Sequence, residues 1–143
     1  MPYPDLLVQP FRDELARAGF QELFSAADVE AFMANQSGTA LLMINSVCGC
    51  AAGKARPGVR AALQQAARPE RLGTVLAGQD LAATARLRAY FPEVAPSSPS
   101  VAIVKDGKLA YFMPRAAIEG RDAESVANDL RAAFAQLCAP VSA

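Results

Sequence analysis

Thr39 to Asn45 (TALLMIN) is a continuous apolar run, and it leads straight into Ser46-Val47-Cys48-Gly49-Cys50. The run is long enough for a strand and too short for a helix. An unbroken apolar stretch of this kind suits a strand buried on both faces of a sheet. Beyond Cys50, the segment Ala51 to Pro57 precedes Val59, Ala62, Leu63 and Ala66 at helical spacing. Pro57 belongs in the first turns of that helix or kinks it. A close cysteine pair therefore sits where a buried strand gives way to a helix.

The rest of the chain supplies the other elements. Leu6, Leu7, Phe11, Leu15 and Ala18 recur at helical spacing, with Gly19 as a stop. Ser25 and Asp28 mark a second helix start, with Val29, Phe32 and Met33 as its apolar face. Thr74 to Ala77 reads as a second strand ending at Gly78. Asp80 is positioned to cap a helix over Leu81–Tyr90, with Leu81, Ala85 and Leu87 inward. Pro92 to Pro99 is a Pro/Ser-rich loop. Val101–Val104 and Leu109–Met113 flank Asp106-Gly107, a strong hairpin signal. A last helix runs over Ala123–Leu137 with Asp122 as its cap, and Val126, Leu130, Phe134 and Leu137 lie on one face.

After an N-terminal helical extension over 1–37, the order is β-α-β-α-β-β-α. The first half is a parallel β-α-β unit with a right-handed crossover. The second half is an antiparallel hairpin followed by a helix. The predicted fold class is α/β, a central mixed β-sheet flanked by helices. With the cysteine pair after the first strand, this arrangement resembles a thioredoxin-like domain. The 143 residues suffice for one domain over 1–143 and are too few for two ordinary ones.

Composition excludes several function classes. Hydrophobic residues make up 52% of the chain, which argues against disorder. The 14 basic and 14 acidic residues cancel, so the basic excess of a nucleic-acid or anionic-membrane binder is missing. No apolar run approaches the ~20 residues that span a bilayer. The first residues lack the basic and apolar regions of a signal peptide, so the expected location is cytoplasmic. There is no His, which removes Ser-His-Asp catalysis, Cys-His proteolysis and His-ligated metal. The run GCAAGK (49–54) has the wrong glycine spacing for a phosphate loop, and Ala55 stands where that motif needs Ser or Thr.

Chemistry therefore falls to Cys48, Cys50 and Cys138. In a cytosolic chain a structural disulfide framework is not expected, so a close pair points to redox chemistry or metal. At a strand–helix junction, free amide N–H groups and the helix dipole favour a thiolate, the attacking species in disulfide exchange. Cys48, nearer the loop, is assigned as nucleophile. Cys50, at the first helical turn, is assigned as resolving thiol. Gly49 gives the loop freedom to close a Cys-X-Cys ring. Such a small ring is expected to be strained, and strained disulfides are more oxidising. The site thus suits isomerisation or resolution of mixed disulfides, with another reductant closing the cycle. Two other readings stand beside this one. The pair could be small apolar residues at a helix start. Or Cys48, Cys50 and Cys138 could supply three thiolates to a zinc or Fe–S site.

Ser98-Pro99 lies just before the third core strand, where a cis-proline faces the active cysteines in thioredoxin-like domains; a trans proline in a Pro-rich loop is the competing reading. Lys54, Arg56 and Arg115 are candidates to lower a thiol pKa or to hold a carboxylate-bearing thiol ligand. Each could equally be solvated or ion-paired, Arg115 for instance with Glu119.

Ile44-Asn45-Ser46-Val47-Cys48-Gly49-Cys50-Ala51-Ala52-Gly53, followed by Ala55-Arg56-Pro57, resembles the signature of the bacilliredoxins, thioredoxin-like proteins with a Cys-Gly-Cys motif. Ala77–Asp80, Ala83–Arg86, Pro96–Ser100, Pro114-Arg115 and Ile118–Gly120 agree in order, so the resemblance covers nearly the whole chain. It implies removal of bacillithiol from protein cysteines, or thiol–disulfide isomerisation. It also implies that Cys48 takes up bacillithiol and that Cys50 is the second motif thiol. Bacillithiol would then be a co-substrate, with no resident cofactor and no metal. The expected partners are bacillithiolated client proteins, and bacillithiol or another reductant for recycling. The family often carries a His near Arg115; this chain has Ala116 and Ala117 there. A non-catalytic redox sensor is the remaining alternative.

Overall fold

The protein is described by a computed structural model covering residues 3–140. The elements are α1 (Asp5–Arg17), β1 (Gln21–Glu22), α2 (Ala26–Ala34), β2 (Thr39–Asn45), α3 (Arg56–Ala62), β3 (Arg71–Leu76), α4 (Leu81–Ala89), β4 (Ser100–Lys105), β5 (Lys108–Met113) and α5 (Ala123–Leu137). They build a five-stranded sheet of order β1-β3-β2-β4-β5. β1 and β2 both run parallel to β3, while β2, β4 and β5 are antiparallel neighbours.

β2 is buried along its whole length, as its composition demands. Leu41 and Met43 point into a core with Leu15, Val59, Val126, Leu130 and Phe134, contributed by α1, α3 and α5. Ala40, Leu42 and Ile44 point into the opposite core with Val29, Phe32, Ala83 and Leu87, from α2 and α4. Alternate side chains thus feed two helical layers. α3 lies so close on α5 that a Cβ on Gly58 would come within 2.7 Å of a Val126 methyl carbon, which leaves room only for glycine.

Local signals act as expected at several ends. Ser25 Oγ accepts from the Asp28 N–H at 3.0 Å, and Asp122 Oδ1 accepts from the Ser125 N–H at 2.8 Å. Gly19 stops α1 with φ +100°. Asp106 and Gly107 both have positive φ, the geometry of a two-residue hairpin turn.

Other expectations are corrected. The N-terminal segment is two helices with a two-residue edge strand between them, because Gln21 and Glu22 pair with Gly73 and Thr74. In α1 the inward stripe is Val8 and Leu15, flanked by half-buried Phe11; Leu6 and Leu7 are exposed. In α4 the buried residues are Ala83, Thr84 and Leu87, whereas Leu81 and Ala85 face solvent. Ala66 lies beyond α3 and is exposed. β3 begins at Arg71, three residues before the expected Thr74. Asp80 is the N-cap residue of α4, its carbonyl accepting from the Thr84 N–H at 2.9 Å, but its side chain makes no cap bond. Its carboxylate accepts from the Leu76 N–H and forms a two-pronged pair with Arg12, at 2.7 and 2.9 Å, which fastens α1 to the end of β3.

Candidate active site

The site forms at the Asn45 end of β2. Ser46 and Val47 carry the chain out of the sheet to Cys48. The Cys48 carbonyl accepts from the N–H groups of Ala51 and Ala52, both at 3.1 Å, so a helical turn starts at Cys48 itself. Cys50 already has helical dihedrals, φ −62° and ψ −38°. Residues 51–55 then wind as a π-helical turn, closed by the Arg56 N–H on the Ala51 carbonyl. Pro57 accounts for the widening: it has no N–H to give, and its ring excludes the carbonyl four residues back.

The loop is held from below. Arg56 is 1% exposed, and its Nη1 donates to Asn45 Oδ1 at 2.9 Å and to the Ser46 carbonyl at 2.7 Å. Its Nε donates to Glu14 Oε1 at 2.7 Å, and its guanidinium lies over the Phe11 ring. Asn45 Nδ2 donates to the Phe11 carbonyl, and the Ser46 N–H donates to Asn45 Oδ1. Arg56 is therefore a brace between α1 and the loop, with its Nε and Nη1 engaged inside the protein. It does not present a charge to a ligand in solvent. A buried cation needs these partners, since an unpaired one would cost several kcal/mol.

Cys48 and Cys50 are both half-exposed, and neither is bonded to another cysteine. Partial burial pushes the Cys48 thiol up. The Ser46 hydroxyl, the N–H groups of Ala51 and Cys50, and the charge of Arg115 together outweigh it, and the net direction is below the ordinary thiol value. The Cys48 N–H in turn donates to Ser46 Oγ at 3.1 Å. A Cβ on Gly49 would meet no atom within 4 Å, and Gly49 does not have positive φ. What Gly49 supplies here is an uncovered approach between the two cysteines rather than an unusual backbone angle.

Arg115 joins the thiols to the proline loop. Its Nη2 lies 3.8 Å from Cys50 Sγ, its Nη1 donates to the Ser98 carbonyl at 3.2 Å, and its N–H donates to Ser97 Oγ. Its Nε pairs with Glu119 at 2.9 Å, so it is at once ion-paired and part of the site. The hydrogen bond it donates to Glu119, and negative charge at Cys48 and Cys50, raise the Arg115 pKa further. The Ser98–Pro99 bond is cis, and Pro99 is buried. Because Ser100 pairs with Ile44, this bond lies beside the end of β2 from which the cysteine loop departs. The structure thus brings Cys48, Gly49, Cys50, Ser98, Pro99 and Arg115 together and puts Arg56 beneath them.

Cys138 does not join them. It follows α5, is buried, and lies beside Thr39 at the opposite end of β2. Seven strand residues at ~3.3 Å each separate the two ends by about 20 Å. The three cysteines cannot converge on one metal ion, and among the described residues no cluster of three Cys, Asp or Glu could hold one. Nothing in the sequence singles out Glu14 or Ser97 for the site, or gives Asn45 and Ser46 a role in it. The one local signal was polar Asn45-Ser46 at the end of an otherwise apolar strand.

This geometry supports thiol–disulfide exchange. A thiolate of the pair can attack one sulfur of a disulfide, and the other leaves as a thiolate that takes up a proton. The second thiol of the pair can then attack the sulfur so bound, closing the Cys48–Cys50 disulfide and expelling the captured thiol. An external dithiol, or two thiols, returns the pair to the reduced state.

Comparison with known proteins agrees with this chemistry. A family model described as disulphide isomerase matches residues 3–138. A Bacilliredoxin of Cytophaga hutchinsonii is 50% identical over 135 residues, covering 94% of this chain and 99% of its own. A Bacilliredoxin of Geobacillus kaustophilus is 49% identical over 142 residues, covering 96% of this chain and 98% of its own. Among solved structures, Fasciola hepatica thioredoxin superimposes with a TM-score of 0.56 at 20% identity, covering 82% of this chain and 99% of its own, and this likeness bears on the fold alone. The fold is thioredoxin-like, and at such identity over nearly the full length the chain belongs to the bacilliredoxin family of thiol–disulfide oxidoreductases.

Proposed function

We propose that the protein reduces mixed disulfides between bacillithiol and protein cysteines, in the cytoplasm, with Cys48 as nucleophile and Cys50 as resolving thiol. The observation that carries this reading is the placement of two free, half-exposed cysteines at a helix start, with Ser46 Oγ beside Cys48, Arg115 Nη2 3.8 Å from Cys50 Sγ and an open face at Gly49. Kinship with the bacilliredoxins favours bacillithiol as the small thiol. Cys48 attacks the bacillithiol sulfur of the client and takes up the bacillithiol, and the client cysteine leaves reduced. Cys50 displaces the bacillithiol from Cys48, and bacillithiol or another cellular reductant reopens the disulfide. Bacillithiol acts as co-substrate and no resident cofactor takes part. Arg115 and the Ser98–Pro99 loop receive the incoming disulfide, Arg115 offering a cation to a carboxylate of the thiol ligand.

The family description favours a second reading, a general disulfide isomerase or reductase without preference for bacillithiol. Intact mass spectrometry of the reduced Cys50→Ala variant separates the two. The variant is mixed with a bacillithiolated model protein and, in parallel, a glutathionylated one. The proposed function predicts gain of one bacillithiol mass, selective over glutathione and abolished by Cys48→Ser. Equal reaction with both substrates assigns the general activity instead. Capture lost in Cys50→Ala but kept in Cys48→Ser would reverse the two roles.

A further inference from the structure

The chain carries 11 arginines. Seven of them are ion-paired: Arg12, Arg56, Arg60, Arg86, Arg115, Arg121 and Arg131. The other four, Arg17, Arg68, Arg71 and Arg88, have no carboxylate partner among the described residues. Three of those four line one cleft of about 710 Å³. The cleft opens where α1 ends, α2 ends and β3 begins. Arg71 of β3 pairs with Ala40, whereas Leu76 pairs with Asn45 at the far end, so the cleft lies at the opposite end of the sheet from Cys48.

The three guanidinium groups are only partly engaged. Arg71 donates Nη1 to the Phe32 carbonyl and Nη2 to the Asn35 carbonyl, and lies over the Phe32 ring, but its Nε is buried with no partner. Arg68 makes one long bond, 3.4 Å, to the Leu63 carbonyl. Arg17 has no side-chain hydrogen bond among the described residues. Glu70 is the one carboxylate on the lining, and its carboxyl group lies over Gly38. Burial holds the Arg71 pKa below its usual value, against the pull of Glu70, as expected for a desolvated cation short of counter-charge. In a protein whose formal charge sums to zero, the concentration of unpaired cations in one concavity is a local excess.

We propose that this cleft is a second, ligand-binding site that takes a small organic phosphate, with the phosphate on Arg17, Arg68 and Arg71. Guanidinium forks from three separate segments offer donors on several sides, which suits a tetrahedral dianion better than a flat carboxylate. The volume exceeds what a phosphate fills and lies in the range of metabolite pockets, so the remainder receives the organic part. Occupancy would tie the N-terminal helices to the start of β3 while leaving the thiols open.

The test is an NMR titration of the whole chain with inorganic phosphate, phenyl phosphate and succinate, each against sodium chloride at matched ionic strength. The expected result is saturable shifts of the Arg71 Nε–H and of residues 17–19 and 68–72 with both phosphates, tighter for phenyl phosphate. The Arg17→Gln/Arg68→Gln double variant should weaken binding by about tenfold or more. Its rate of thiol–disulfide exchange should match that of the unaltered protein. Phosphate shifts no different from those of chloride, unchanged affinity in the double variant, or succinate binding as tightly as phenyl phosphate would each overturn the assignment.

Discussion

Cys48 and Cys138 stand at opposite ends of β2, and the protein treats the same side chain in opposite ways. Cys48 sits at a helix start with Ser46, two backbone N–H groups and a guanidinium at hand, and its thiol is shifted down against the effect of partial burial. Cys138 sits where α5 ends, packed with Leu15, Leu130 and Phe134 in the core cluster. There burial raises its pKa, and Thr39 and Lys105 only partly offset the rise. Burial acts upward on both. The difference lies in what accompanies it: donors and positive charge at one end, mainly hydrocarbon at the other.

The largest break in this comparison is removal of the Cys48 sulfur, the proposed nucleophile. Cys48→Ser should abolish capture of a thiol adduct in the intact-mass assay, whereas Cys138→Ala should leave the rate within about twofold. Next comes the brace beneath the loop. Arg56→Met leaves Glu14 with Arg60 alone and strips donors from Asn45 and the Ser46 carbonyl, and should cost about 2 kcal/mol in denaturant unfolding. It should also raise the pH at which Cys48 becomes reactive, because Ser46 is no longer held.

Two substitutions act on acidity more narrowly. Ser46→Ala removes the hydroxyl that favours the thiolate and should slow alkylation of Cys48 at neutral pH by about tenfold. Arg115→Met should slow it only about threefold, since the arginine side chain is 41% exposed and its charge is screened. Raised salt should shrink the Arg115 effect and leave that of Ser46 in place. The smallest effect concerns stability. The raised pKa of Cys138 means that, above the ordinary thiol value, the unfolded chain releases a proton that the folded chain retains. Stability therefore falls as pH rises through that range, and Cys138→Ala should remove this part of the slope. Cys48 has the opposite sign: its folded form releases the proton first, so its contribution grows as pH rises and is lost as pH falls through the folded value.

The sequence made some of this legible and hid the rest for physical reasons. TALLMIN announces a doubly buried strand because nothing polar interrupts it, and the thiol pair at its end marks the site. Helix phase was harder. LAATARLRA has alanine on every side, so neither Leu81 nor Leu87 is singled out by spacing, and the docking of Ala83 and Thr84 on the sheet decides which way the helix turns. β1 escaped notice because two polar residues form it, and only the free edge of β3 makes them a strand. The brace at Arg56 was invisible for a similar reason. Its partner Glu14 lies 42 residues away, and an arginine beside a reactive thiol reads naturally as a charge facing substrate. The widened turn at 51–55 depends on the Arg56 N–H bonding to the Ala51 carbonyl, a pairing that Pro57 in the sequence does not by itself specify.

The most direct test of the account is the pH dependence of alkylation at each cysteine, resolved by peptide mass spectrometry on the reduced native protein and on the same chain in denaturant. The account predicts that native Cys48 reaches half-maximal reactivity at lower pH than in the unfolded chain, while native Cys138 stays unreactive through neutral pH. Equal midpoints for Cys48 in the native and unfolded chains, or a native Cys138 as reactive as Cys48, would contradict it.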